Sequence, residues 1–199
     1  MSYKPGAPEV KRLREATGAG MIDCRNALVH AEGDFDRAKT HLLEQGQAKA
    51  EKKAERAAHE GIVGSYIHAG GKIGVLIEIN CETDFVARNE KFQTLVRDVA
   101  MHVAAMSPKY LDRESVPPSV VEEVKRALAE QVPPGKPPNI VENIINGKLN
   151  KWYEDTTLVD QHFVKDDSIT IGELVSGVSA VLGERIAVRR FVKYALGEG

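Results

Sequence analysis

The apolar run Ile73-Gly-Val-Leu-Ile-Glu-Ile79 constrains this chain most. Bounded by the turn Ala69-Gly-Gly-Lys72, it predicts a strand. Soon afterwards Asn89 precedes Phe92, Leu95, Val96, Val99 and Val103, which share one side of a helix that Asn89 would cap. The chain must therefore turn a corner within Asn80-Cys-Glu-Thr-Asp-Phe-Val-Ala-Arg-Asn89. Phe85 stands at that corner, where the apolar faces on both sides are already accounted for. Two readings are open. Phe85 plugs the end of its own core, as most Phe residues do, or it is aimed with Asp84 at another protein.

Upstream, the first 46 residues read as three short helices. Pro8 suits the first turn of one, with Val10 and Leu13 inward, and Thr17-Gly-Ala-Gly20 breaks it. Asp23 opens the second, with Cys24, Ala27, Leu28 and Ala31 inward and Gly33 as its stop. Asp34 caps the third, anchored by Phe35, Ala38, Leu42 and Leu43, and Gly46 ends it. Residues 47–60 alternate Lys, Arg and Glu with Ala and have almost no apolar stripe, which predicts a solvated helical spacer.

From Gly61 the pattern changes. Ile62–His68 and Lys72–Cys81 predict a hairpin, over which the helix from Asn89 to about Met106 packs. Pro117-Pro118 and Pro137-Pro138 each open a further helix, the latter with Ile140, Ile144, Ile145 and Leu149 and then Trp152 as an anchor. Ser168 or Thr170 caps a helix carrying Ile171, Leu174, Val175, Val178 and Leu182, which Gly183 stops. Ile186–Tyr194 is a final strand, the third of an antiparallel sheet. The fold class is α+β: a three-helix module over residues 1–46, a spacer over 47–60, and a core over 61–199 with a three-stranded antiparallel sheet covered by helices.

Chemistry narrows the function. A net charge of −2 and a pI near 6.3 argue against nucleic-acid binding driven by counterion release. No apolar run approaches the roughly 20 residues that cross a bilayer, and Met-Ser-Tyr-Lys-Pro-Gly lacks the apolar core of a signal peptide. Cys24 and Cys81 form no Cys-x-x-Cys pair, and reduced thiols in a cytoplasmic protein are expected. There is no phosphate-binding Gly-x-x-x-x-Gly-Lys-Ser/Thr and no metal-ligand spacing among the histidines. Asp166-Asp167 is read as capping the next helix. The expectation is a protein without cofactor, metal or catalytic residues, which acts by binding another protein.

Four ordered stretches carry a family resemblance. Thr83-Asp84-Phe85-Val86-Ala87-Arg88-Asn89 resembles a signature of the translation elongation factor Ts family, the guanine-nucleotide exchange factors for elongation factor Tu. Leu13-Arg-Glu-Ala-Thr-Gly-Ala-Gly-Met21 resembles its N-terminal signature. Phe163-Val-Lys-Asp-Asp167 and Arg189-Arg-Phe-Val-Lys-Tyr194 resemble its C-terminal half.

The resemblance implies a ubiquitin-associated-like fold for residues 1–46 and a role in protein synthesis. It implies that Thr83, Asp84, Phe85, Val86, Arg88 and Asn89 contact elongation factor Tu, with Phe85 as a wedge that dislocates Mg2+ and loosens GDP. It also implies a second contact through a loop holding Gly20, Met21 and Ile22, with Arg25 beside it. Ile22 stands where the family commonly has a second Met, and Cys24-Arg25-Asn26 where a hydrophobe and two lysines are frequent. A homodimer through the sheet is a further implication for short members. The competing reading, a ubiquitin-type binding or scaffold module without exchange activity, rests on the first three helices alone.

Overall fold

A computed structural model describes residues 3–51 and 56–198. Within them eight α-helices and a three-stranded antiparallel sheet form the expected α+β fold. The helices are α1 (Ala7–Thr17), α2 (Met21–His30), α3 (Phe35–Glu51), α4 (Asp84–Ala87), α5 (Glu90–Met106), α6 (Pro118–Glu130), α7 (Pro138–Thr156) and α8 (Ile171–Leu182). Strands β1 (Glu60–Ile67), β2 (Ile73–Cys81) and β5 (Ala187–Ala195) lie in the order β1-β2-β5. A separate pair, β3 (His162–Phe163) and β4 (Asp166–Thr170), is antiparallel.

The described residues divide into two compact units. One takes those up to Gly64 with Ile77–Asp98 and Glu173–Arg189. The other takes Ser65–Leu76, Val99–Gly172 and the described residues from Arg190 onward.

In the first unit α1, α2 and α3 close over Val10, Leu13, Cys24, Ala27, Leu28, Ala31 and Ala38, with Phe35 and Leu42 packed against that cluster. These are the inward positions that helical spacing predicts. Asp34 caps α3 as expected, its Oδ1 accepting the Arg37 N–H at 2.9 Å. The helix ends differ from expectation in two places. Gly20, extended at φ −63°, ψ 149°, is the N-cap of α2, so Met21 and Ile22 form its first turn rather than a loop, and Asp23 does not open it. Nor does Gly46 stop α3, which runs on to Glu51. Gly46 is buried, and a Cβ there would lie 3.6 Å from the Ala180 methyl of α8. That is ordinary van der Waals contact, so Gly46 is an interior helix position facing α8 and not a C-cap.

The helix expected over residues 47–60 is also corrected. It is helical to Glu51, residues 52–55 lie outside the described set, and residues 56–59 are not helical before Glu60 opens β1. The sheet side of this unit buries Ile77, Ile79 and Cys81 of β2 with Phe92, Leu95 and Val96 of α5. Gly64 makes that packing possible, because a Cβ on it would fall 2.3 Å from Val96 Cγ1.

The second unit buries Val99, Ala100, Val103 and Ala104 of α5 along with Val116, Leu149, Leu158, Phe163 and Ile171. Prolines open α6 and α7 as expected. His102 is fully buried between polar partners. Its Nδ1 accepts the Val164 N–H at 3.2 Å, so the proton sits on Nε2 and is donated to Gln161 Oε1 at 3.0 Å. The Gln161 amide in turn donates to the Asp155 carbonyl. Burial holds the imidazole pKa below its ordinary value. Asp166 and Asp167 do not cap α8. They lie in β4, where the Asp166 carboxylate accepts the N–H and hydroxyl of Ser168.

Candidate functional site

The corner after β2 is built from local rules. Thr83 is extended at φ −130°, ψ 157° and caps α4, its hydroxyl oxygen accepting the Val86 N–H. Asn89 closes the far side, its Oδ1 accepting the Lys91 N–H at 2.9 Å as α5 begins. Between these caps α4 has a single turn. Val86 and Ala87 face inward and are buried, which leaves Phe85 on the outer side, 80% exposed. The core-plug reading of Phe85 is therefore excluded. Asp84 and Arg88 pair at 2.7 Å across the turn, a solvated i,i+4 contact worth only about 0.3–0.5 kcal/mol.

A helix this short does not sustain itself, since nucleation fixes several residues for one hydrogen bond. Its support comes from the loop between α8 and β5. Glu184 Oε2 accepts the N–H groups of Glu82 and Thr83 at 3.1 and 3.0 Å, and Oε1 accepts the Thr83 hydroxyl at 2.6 Å. Glu82 Oε1 accepts the Arg185 N–H at 2.6 Å and pairs with the Arg56 guanidinium at 3.4 Å. Neither Glu82 nor Glu184 is among the sequence-predicted contacts. No short-range pattern marks them, because their partners lie a hundred residues away.

Cys81 ends β2 beneath this corner. Its thiol donates to the Thr83 carbonyl at 3.1 Å. Burial, with the Glu184 carboxylate second, pushes its pKa up to about 11, so it is a packing thiol and not a nucleophile. Cys24 is raised for the same first reason.

The N-terminal candidates form a second surface. Met21 and Ile22 leave the first turn of α2 outward, 47% and 70% exposed, while Cys24, Ala27 and Leu28 of the same helix are buried. Gly20 holds the cap position. Arg25 is exposed, with its guanidinium 3.4 Å from Asn26 Oδ1. Both surfaces, Gly20–Arg25 and Thr83–Asn89, are made by the first unit. Among the described residues no group of three or more His, Cys, Asp and Glu could hold a metal ion. No helix among them is long and apolar enough to cross a membrane.

The family model described as "Elongation factor TS" matches residues 44–198. That span contains the whole Thr83–Asn89 corner and Glu184. The chain belongs to the elongation factor Ts family. Elongation factor Ts of Geotalea daltonii is 56% identical over 196 residues, covering 97% of this chain and 90% of that protein. Elongation factor Ts of Geobacter metallireducens is 55% identical over the same shares. Elongation factor Ts of Caldanaerobacter subterraneus is 48% identical over 97% of both chains. These alignments cover far more of the chain's beginning than the family model does, so the elongation factor Ts likeness takes in α1 and α2 as well. The chain is a translation elongation factor, a component of protein biosynthesis.

Proposed function

We propose that the chain is a guanine-nucleotide exchange factor for elongation factor Tu, acting in the cytoplasm by binding and not as an enzyme. The observation that carries the proposal is Phe85, a large apolar side chain 80% exposed on a short helix whose other side is anchored. An isolated exposed aromatic on a supported turn has the form of an interface anchor.

In this reading Phe85 enters the nucleotide-binding domain of elongation factor Tu between two helices, with Asp84 and Arg88 as its polar rim. Insertion displaces the groups that hold Mg2+ and the phosphates of GDP. Thr83, Val86 and Asn89 set the angle of entry. Met21 and Ile22 of the N-terminal module over residues 1–46, with Gly20 and Arg25 beside them, grip a different part of the same domain. Two grips joined in one chain raise effective concentration, so energy from the second supports the open partner.

Linkage requires reciprocity. If the factor weakens GDP binding by some ratio, GDP weakens the factor by the same ratio, and incoming GTP displaces it.

The experiment follows release of fluorescent GDP from elongation factor Tu after adding the purified chain and excess unlabelled nucleotide. Concentration-dependent acceleration is the expected result. Tight binding without acceleration would leave only a scaffold function.

A further inference from the structure

Glu184 and Glu82 form a reciprocal clasp at the corner that carries Phe85. Each sits just before the residue whose backbone N–H the other accepts: Glu82 takes Arg185, and Glu184 takes Thr83 together with Glu82 itself. β2 and β5 are already hydrogen-bonded neighbours in the sheet, so strand pairing does not require these bonds. They lie past the end of β2, where α4 begins. The Thr83 hydroxyl does double service, donating to Glu184 Oε1 and accepting from Val86. The cap of α4 is thus oriented by a carboxylate from a distant loop. The Arg185 guanidinium also donates to the Arg56 carbonyl, which ties the chain entering β1 to the same clasp.

We propose that Glu184 is a positioning residue that holds α4 formed before the partner arrives, so that Phe85 is presented rather than ordered on contact. The inference rests on the reading of Phe85 as the partner contact and assigns Glu184 a role within it. The physical case is the length of α4. A single turn gains little from its own hydrogen bonds, so its population rests on the buried Val86 and Ala87 and on the acceptor at its cap, and apparent affinity falls by the fraction of time the turn is formed. A turn formed about 2–10% of the time corresponds to a loss of roughly 10- to 50-fold.

The test measures GDP release from elongation factor Tu with the full chain and its variants Glu184→Ala, Phe85→Ala and the double variant. Amide hydrogen exchange is measured over residues 84–88 in parallel. The expected result for Glu184→Ala is a release rate lower by roughly 10- to 50-fold at sub-saturating factor, with faster amide exchange in α4. Added to Phe85→Ala, the same change should cost less than about twofold more, because its effect passes through Phe85. Full activity in a folded Glu184→Ala, unchanged amide exchange in α4, or multiplying losses in the double variant would overturn the proposal. If Glu184→Ala does not fold, Glu184→Asp carries the same comparison, keeping the charge but withdrawing it by one methylene. Unchanged release by Phe85→Ala would instead refute the contact reading itself, so the two failures are distinguishable.

Discussion

Phe85→Ala and Phe92→Ala make the sharpest contrast this fold offers. Both remove the same side chain, from positions only a helix turn or two apart, but Phe85 is 80% exposed and Phe92 fully buried. Deleting a buried Phe costs about 3–5 kcal/mol, from lost transfer energy and the cavity left behind. For a chain of this size that is a fall in Tm of roughly 6–20 °C. Phe85→Ala should cost under about 0.5 kcal/mol and move Tm by no more than about 2 °C.

Binding reverses the order. Scaling the roughly 1.5–3 kcal/mol for burying a whole Phe by the 80% still exposed leaves about 1.2–2.4 kcal/mol for a partner to gain. At about 1.4 kcal/mol per decade, Phe85→Ala loses about 7- to 50-fold in GDP release at sub-saturating factor. The assay is stopped-flow release of fluorescent GDP, paired with thermal unfolding of the same samples. A large fall in Tm for Phe85→Ala, or unchanged release by a folded variant, would refute the reasoning.

Ile22→Ala should weaken binding to elongation factor Tu by roughly 5- to 30-fold while leaving Tm within about 2 °C, since Ile22 is 70% exposed, and titration calorimetry reads both partners directly. His102 supplies a pH prediction. Its folded pKa lies below the ordinary value of 6.5, so below that pH the unfolded chain binds a proton that the folded chain refuses. This contribution to stability is complete above pH 6.5 and is lost as pH falls, at up to about 1.4 kcal/mol per pH unit. His102→Gln should be less stable at pH 7 and decline less steeply toward pH 5. Identical slopes in urea unfolding series would show that His102 does not carry the effect.

The parts of the fold with regular period were legible from the residues. Phe92, Leu95, Val96, Val99 and Val103 are all buried on α5, and the proline pairs open α6 and α7. Legibility ended where a residue answers to something distant. Gly46 has the composition of a helix stop, yet it lies inside α3, buried and facing Ala180 of α8. Thr17-Gly-Ala-Gly20 does break the helix, but α2 starts at Met21 and not at Asp23, with Gly20 as an N-cap that needs only extended backbone and no side chain. α4 is too short to show a period, and its one local mark is the Thr83 cap. Asp166-Asp167 has the composition of a cap but lies in β4, where Asp166 pairs with Phe163 of β3. At the site, local pattern located Phe85 but left its burial open. The inward turn of Val86 and Ala87 decides that, and the Glu184 clasp behind it has no local signature at all.

The most direct measurement places a benzophenone side chain at position 85 and irradiates the full chain with elongation factor Tu. A covalent product mapping to the nucleotide-binding domain of elongation factor Tu is expected. It should form efficiently with nucleotide-free partner and be suppressed by excess GDP, because the two compete by linkage. A preparation that still accelerates GDP release but yields no product with that domain, or yields it equally at saturating GDP, would contradict the claim that Phe85 acts at the nucleotide site.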